Sequence, residues 1–307
     1  LVQRFSITLT QLTYFVECAK TLNMTEASQV LHVAQSAVST AISHLETSLG
    51  TTLFIRKHAR GLVLTPAGES LLRDSHRIFE LLNNTIESIR TDQNDIRGSI
   101  RIACFSTLAP FLLPRLLGEL KQEHPELIIE VIEGDHEDNL TALRSGRAEL
   151  AVNYNLTNGE GITHEIVGEI RPHIIVHSGH PLAKRKSVTL TDLADDPFVL
   201  LDLPDSSEYF LSILRQAGIT PKLKYRSSNY ETVRTMVATG LGYSILNQKP
   251  MIDQTYTGAH TVSIEIKDSV PSLGIAVSAL TQLEQSARAR VVADTIRGIL
   301  ADSTPRA

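Results

Sequence analysis

Between Ala67 and Asp92 the sequence holds one unbroken helical pattern that is hard to bury within a single small domain. Apolar residues recur at spacings of three and four, at Leu71/Leu72, Ile78/Phe79, Leu82, Ile86 and Ile89. Such spacing makes a long, narrow seam. Thr65 is placed to cap this helix, and Pro66 suits its first position. At ~1.5 Å per residue the element is roughly 40 Å long. The seam either packs on its own domain or pairs with a second subunit, and its length favours the second. The helix also separates a short leading piece from a long trailing one.

Composition narrows the classes. The chain has 307 residues, enough for about two domains at ~150 residues each. Apolar residues are 42% and charged residues 21%, as in ordinary globular chains. No apolar run approaches the ~18–20 residues that span a bilayer, so no membrane association is expected. The opening residues lack a secretory pattern. Cys18 and Cys104 are the only cysteines, which fits a reducing, cytoplasmic setting. The net charge of −5 disfavours nucleic acid at first sight, yet it is unevenly placed. Residues 1–98 hold nine bases and nine acids, so the whole excess belongs to 99–307. Thr47 to Gly68 is free of acids and contains Arg56, Lys57 and Arg60. By spacing alone this is a solvated loop or a phosphate-binding loop.

The first 66 residues read as three short helices and a hairpin. Thr8 and Gln11 form a capping-box pattern, followed by Leu12, Phe15, Val16 and Ala19 on one face. Thr25 suits the N-cap of a second helix with Ala27, Val30 and Leu31 inward. A third helix from Gln35 or Ser36 buries Val38, Ala41/Ile42, Leu45 and Leu49, and Gly50 ends it. Two short helices joined by a tight turn give the helix-turn-helix outline. The outward face of the third helix carries Gln35, Ser36, Ser39, Thr40, Ser43 and His44. A helix face shaped only for solubility carries more Glu and Lys. Gln can pair with adenine, and Ser or Thr with bases or phosphates. Leu53-Phe54-Ile55 and Leu62-Val63-Leu64 flank a basic turn, as a β-hairpin wing does.

Here the sequence resembles a known family. Leu12, Phe15, Ala27, Leu31, Val33, Gln35, Ser36, Ala37, Ser39, Ile42, Leu45-Glu46, Leu49-Gly50, Leu53-Phe54, Arg56 and Leu64-Thr65-Pro66-Ala67-Gly68 look like the N-terminal part of a LysR-type transcriptional regulator. The resemblance implies a winged helix-turn-helix in residues 1–66, a dimerising linker helix in 67–95 and an effector-binding domain in 96–307. It also implies commonly tetrameric assembly, as a dimer of dimers on promoter DNA. By match, Gln35, Ser36 and Ser39 contact bases, Thr25 a phosphate, and Arg56 the DNA through the wing. Thr40, Ser43 and His44 stand where the family often has Arg or Lys. Readout therefore leans on Gln35 and hydroxyls, and affinity on the wing, with Lys57 and Arg60, and on avidity.

The rest alternates strands and helices, which predicts an open α/β sheet with parallel pairing. Expected elements include strands at 99–105, 127–132 and 150–153, with helices at 108–123 and 139–145. A second series follows: strands at 173–177, 198–201, 223–226 and 243–246, with helices at 209–216 and 230–239. A strand at 272–277 and a helix at 282–300 cross back. Lobe I is then 99–170 with 271–307, and lobe II is 171–270. The fold is that of periplasmic binding proteins, with a ligand cleft between lobes.

Strand ends that meet helix starts place the cleft. Ser106 and Thr107 join hydroxyls to backbone amides there, as suits an anion or carbonyl, although ordinary capping uses the same residues. Gly134, Asn153, Tyr154, Asp202, Ser228 and Asn229 lie at equivalent ends. Asp202 complicates a carboxylate effector, because two buried negative groups repel. No nucleophile elbow, Walker loop or dinucleotide fingerprint is present. His173, His177 and His180 lack companions at metal-ligand spacing. The reading is a cytoplasmic LysR-type regulator of promoter DNA, homo-oligomeric and without catalytic residues, metal or cofactor. A small-molecule effector controls it, with RNA polymerase as a further partner.

Overall fold

The computed structural model describes residues 6–57, 61–90, 96–157 and 159–303. The chain divides into two compact units, with the main boundary after residue 93.

The first unit opens with α1 (Leu9–Thr21). The Thr8 amide donates to the Gln11 side chain at 2.9 Å, and the Gln11 amide donates to the Thr8 hydroxyl at 3.2 Å. That is the expected capping box. Leu12, Phe15 and Ala19 are buried, joined by Cys18. Helix α2 (Met24–Val30) starts earlier than Thr25 predicts. Asn23 is the cap, and its side chain accepts from the amides of Thr25 and Glu26. Asn is among the best capping residues, so its place upstream puts Thr25 within the first turn. Helix α3 (Gln35–Leu49) buries Val38, Ala41, Ile42 and Leu45 and ends at Gly50 with φ +64°. Val30 and Leu49, expected inward, are exposed. Each is the last residue of its helix, where the packed face ends.

Strands β1 (Phe54–Lys57) and β2 (Gly61–Leu64) pair antiparallel, from Phe54 opposite Leu64 to Lys57 opposite Gly61. The Leu62 amide donates to the Leu22 carbonyl at 2.9 Å, tying the hairpin to the end of α1. Helix α4 (Pro66–Arg90) follows. The Gly68 amide donates to the Thr65 hydroxyl at 3.0 Å, so Thr65 caps it as expected. Part of the seam packs on its own domain and part meets solvent. Leu71, Leu72 and Phe79 pack on the core of the first unit, while Ile78, Leu81, Leu82 and Ile86 are exposed. Residues 91–95 of the expected linker lie outside the described residues.

The second unit contains β3 (Gly98–Phe105), α5 (Ala109–Glu123), β4 (Leu127–Gly134), α6 (His136–Arg144), β5 (Leu150–Tyr154) and β6 (Ile162–Ile170). Next come β7 (His173–His177), β8 (Ser187–Val188), β9 (Pro197–Leu201), α7 (Ser206–Gln216), β10 (Lys222–Ser227) and α8 (Tyr230–Ala238). β11 (Ser244–Leu246), β12 (Thr261–Ile266), β13 (Leu273–Leu280) and α9 (Ala287–Ser303) complete it. Lobe I is a sheet of order β4-β3-β5-β13-β6. Lobe II has the order β11-β7-β12-β8, with the parallel pair β9–β10 joined on by mutual backbone bonds between Pro197–Val199 and Tyr243.

Parallel pairing is only part of the result. β3 runs parallel to β4 and β5, but β13 is antiparallel to β5 and β6, and β7 to β11 and β12. β13 returns from the other lobe and enters the sheet from the opposite end. α9 then packs beside α5 and β6, burying Val292, Ala293 and Ile296. Three helices start elsewhere than predicted: α6 at His136, α7 at Ser206 and α9 at Ala287. Asp135 and Asp138 cap α6 reciprocally, and the Ser286 hydroxyl accepts from the Ala289 amide to cap α9. Strands β6, β8 and β12 are additions to the predicted set. No described helix is long and apolar enough to cross a membrane.

Candidate functional site

Two surfaces carry recognition chemistry. In the first unit, Gln35, Ser36, Thr40, Ser43 and His44 are exposed along α3, with Ser39 half-buried. The first turn of α3 has no acidic residue and no side-chain cap. Glu46, the first acid of this helix, is turned inward. Its carboxylate accepts from the amides of Leu53 (2.7 Å) and Phe54 (3.3 Å), holding the start of the wing. A shallow groove between α1 and α3 is lined by Thr8, Gln11, Ser36, Thr40 and His44. Thr25 is exposed in the first turn of α2. Arg56 and Lys57 belong to β1, and Arg60 lies outside the described residues.

In the second unit a narrow pocket opens between the lobes. Thr107 and Tyr154 come from lobe I, and Leu201, Leu203, Ser206, Phe210, Tyr230, Leu246, Asn247 and Gln248 from lobe II. Tyr154 is its centre. Its hydroxyl accepts from the Thr107 hydroxyl at 3.4 Å and from the Gln248 amide at 3.2 Å. The Tyr230 hydroxyl donates to the Gln248 carbonyl at 2.6 Å and fixes that residue. Burial pushes the Tyr154 phenol up to about 12. The free space is about 10 Å³, the scale of one water molecule.

Of the strand-end residues, Thr107 and Tyr154 are brought together here. Ser106 and Gly134 form the adjoining turn, where the Ser106 amide donates to the Gly134 carbonyl at 2.9 Å. Asn153 faces the other way: successive strand residues alternate sides, and it accepts from the Asn139 amide at 2.8 Å under α6. Asp202 is outside the pocket lining and paired with Arg226 at 3.5 Å. Asn229 is a helix cap, accepting from the Thr232 amide, and Ser228 is exposed beside it. These four do not line the pocket. Asn247 and Gln248 follow β11 directly, so the strand-end argument applied to that strand reaches them. Ser206, Leu203 and Phe210 carry no comparable signal. His180 is spoken for by Asp196 at 3.2 Å and by the Leu182 amide.

A model of the LysR substrate binding domain matches residues 93–301, and one of the bacterial regulatory helix-turn-helix protein, lysR family, matches residues 9–69. The chain belongs to the LysR family. This LysR-type chain is 31% identical over 271 residues to the transcriptional dual regulator GltC of Bacillus subtilis, covering 87% of this chain and 89% of that one. The crystal structure of HinK, a LysR family transcriptional regulator from Pseudomonas aeruginosa, is similar over 97% of this chain and all of its own, with 32% identity and a TM-score of 0.67. A full-length OxyR variant from the same organism shares the fold, with a TM-score of 0.77 at 22% identity, over 96% of this chain and 97% of its own. The LysR-type chain is thus a DNA-binding transcriptional regulator with an effector-binding domain, not an enzyme.

Proposed function

We propose that this regulator reads promoter DNA with α3 in the major groove, and that a small molecule held around Tyr154 controls it. The observation that carries the DNA reading is the exposed, acid-free polar face of α3, whose one carboxylate, Glu46 near its C-terminal end, is committed to the wing. Gln35 pairs with a base edge, and Ser36, Ser39, Thr40 and Ser43 contact bases or phosphates. The uncapped start of α3 leaves amides for a phosphate. Thr25, Arg56, Lys57 and Arg60 hold the backbone. The exposed apolar stripe of α4 supports a dimer, and a dimer of dimers brings four such faces to one promoter. The protein works in the cytoplasm without a cofactor, and RNA polymerase is its partner at the promoter.

Fluorescence anisotropy on selected and random duplexes tests the assignment. Gln35→Ala should cost about 1–3 kcal/mol on the selected site and little on random DNA. Arg56→Ala should weaken both alike and flatten the salt dependence. Equal losses on both duplexes for Gln35→Ala would remove its role as a base reader.

A further inference from the structure

On the reading that the pocket around Tyr154 is the effector site, we propose that its effector is uncharged. It should be an amide or alcohol that carries a hydrogen-bond donor beside an acceptor. None of the described residues lining the pocket carries a charge, and its polar groups are Thr107, Tyr154, Ser206, Tyr230, Asn247 and Gln248. The Tyr154 phenol is protonated at neutral pH, as any phenol is, and burial raises it further. A carboxylate or ammonium placed there would lose its water and gain no counter-charge, which costs far more than burying a neutral amide.

The helix ends beside the pocket give an anion little shelter. In α5, Pro110 has no N–H, and the Phe111 and Leu112 amides both donate to the Leu108 carbonyl. α7 has Asp205 at its N-cap and Glu208 in its first turn. α8 is already capped by Asn229 and has Glu231 in its first turn. The cation near the strand ends, Arg226, faces Asp202. These features weigh against the anion reading that Ser106 and Thr107 first invited.

What remains unmet is neutral. Asn247 is buried, and its Oδ1 has no hydrogen-bond partner. A buried acceptor left unpaired is costly, so a ligand N–H or O–H there is favoured. The Tyr154 hydroxyl accepts twice, from Thr107 and Gln248. Its own proton is then available to a ligand carbonyl or hydroxyl. Leu203, Phe210 and Leu246 supply the apolar walls. With about 10 Å³ of free space, any such ligand must part the lobes, so binding and conformational change are one event.

Matched trios test this with full-length protein by isothermal titration at pH 7.5: isobutyramide, isobutyrate and isobutylamine, then benzamide, benzoate and benzylamine. The expected result is at least tenfold tighter binding of the amide than of its charged counterparts in one trio. Asn247→Leu should weaken that binding at least fivefold while leaving DNA binding intact, and Thr107→Val should weaken it independently. If a carboxylate or ammonium binds tightest and is lost in Asn247→Leu, the pocket stands and the ligand class is wrong. Amide binding indifferent to both substitutions would sink the pocket assignment itself. Silence from all six compounds also overturns the proposal.

Discussion

Gly68 shows how a single residue can be dictated by its neighbours. A Cβ at this position would lie 2.3 Å from the Leu53 carbonyl oxygen and 2.8 Å from the Leu64 side chain. The first of these is backbone and cannot rotate away. Gly68→Ala should therefore destabilise the first unit by about 1–3 kcal/mol through overpacking, read as a lower urea midpoint at unchanged slope. His173 carries a pH dependence. Its Nε2 is shielded without a partner. Burial, aided by the positive charges of Lys249 and Arg234, lowers it to about 4 from an ordinary 6.5. The unfolded chain then binds the proton more readily, so stability is full above pH 6.5 and is lost as pH falls toward 4. His173→Gln should flatten that acid limb, worth at most about 3 kcal/mol. A limb identical in both proteins, by urea unfolding at pH 7 and 4.5, would assign the effect elsewhere. At this scale the sequence misassigns what depends on a competing neighbour: Thr25 loses its cap to Asn23.

Elements are more legible than residues, because periodicity sums over many positions. The three helices and hairpin of the first unit appear where apolar spacing puts them. So do β3, β4, β5, β7, β9 and β10, with the apolar runs of β3, β5, β7 and β9 buried in sheets. β6 escapes notice because it edges the lobe I sheet and reads half polar, as ITHEIVGEI. β8 is only two residues long. Helix α4 invites the test that belongs to this scale. Its exposed Ile78, Leu81, Leu82 and Ile86 make a stripe that water disfavours. Leu82→Glu should leave the monomer folded, since that side chain already meets solvent. It should shift the dimer toward monomer at least tenfold by analytical ultracentrifugation. An unchanged sedimentation profile would mean that assembly uses another surface.

For the whole molecule the net charge is a poor guide to partners. The −5 resides in 99–307, while residues 1–98 are neutral, with no Lys or Arg between Gln35 and Leu45. Phosphate attraction supplies most non-specific affinity, so one winged domain has little of it. Residues 1–66 alone should bind the selected duplex at least a hundredfold more weakly than the full chain at physiological salt. Linking several weak sites recovers affinity through effective concentration. Comparable affinity of the two proteins in anisotropy titrations would show that the single domain suffices.

The sequence by itself determined the class of the protein. The patterning of α1 to α4, the polar face of α3 and the strand–helix alternation after Gly98 all follow from local spacing, which a chain carries without knowing its tertiary partners. The tertiary structure decided which side chains meet, within lobe I and across the lobes. Thr107 and Tyr154 are 47 residues apart, and Tyr154 and Gln248 are 94 apart. The first pair meets because β3 and β5 are neighbours in one sheet, the second because Gln248 follows β11 in the other lobe. No periodicity records such a meeting, so the pocket's neutral character became visible only once the lobes were closed on each other.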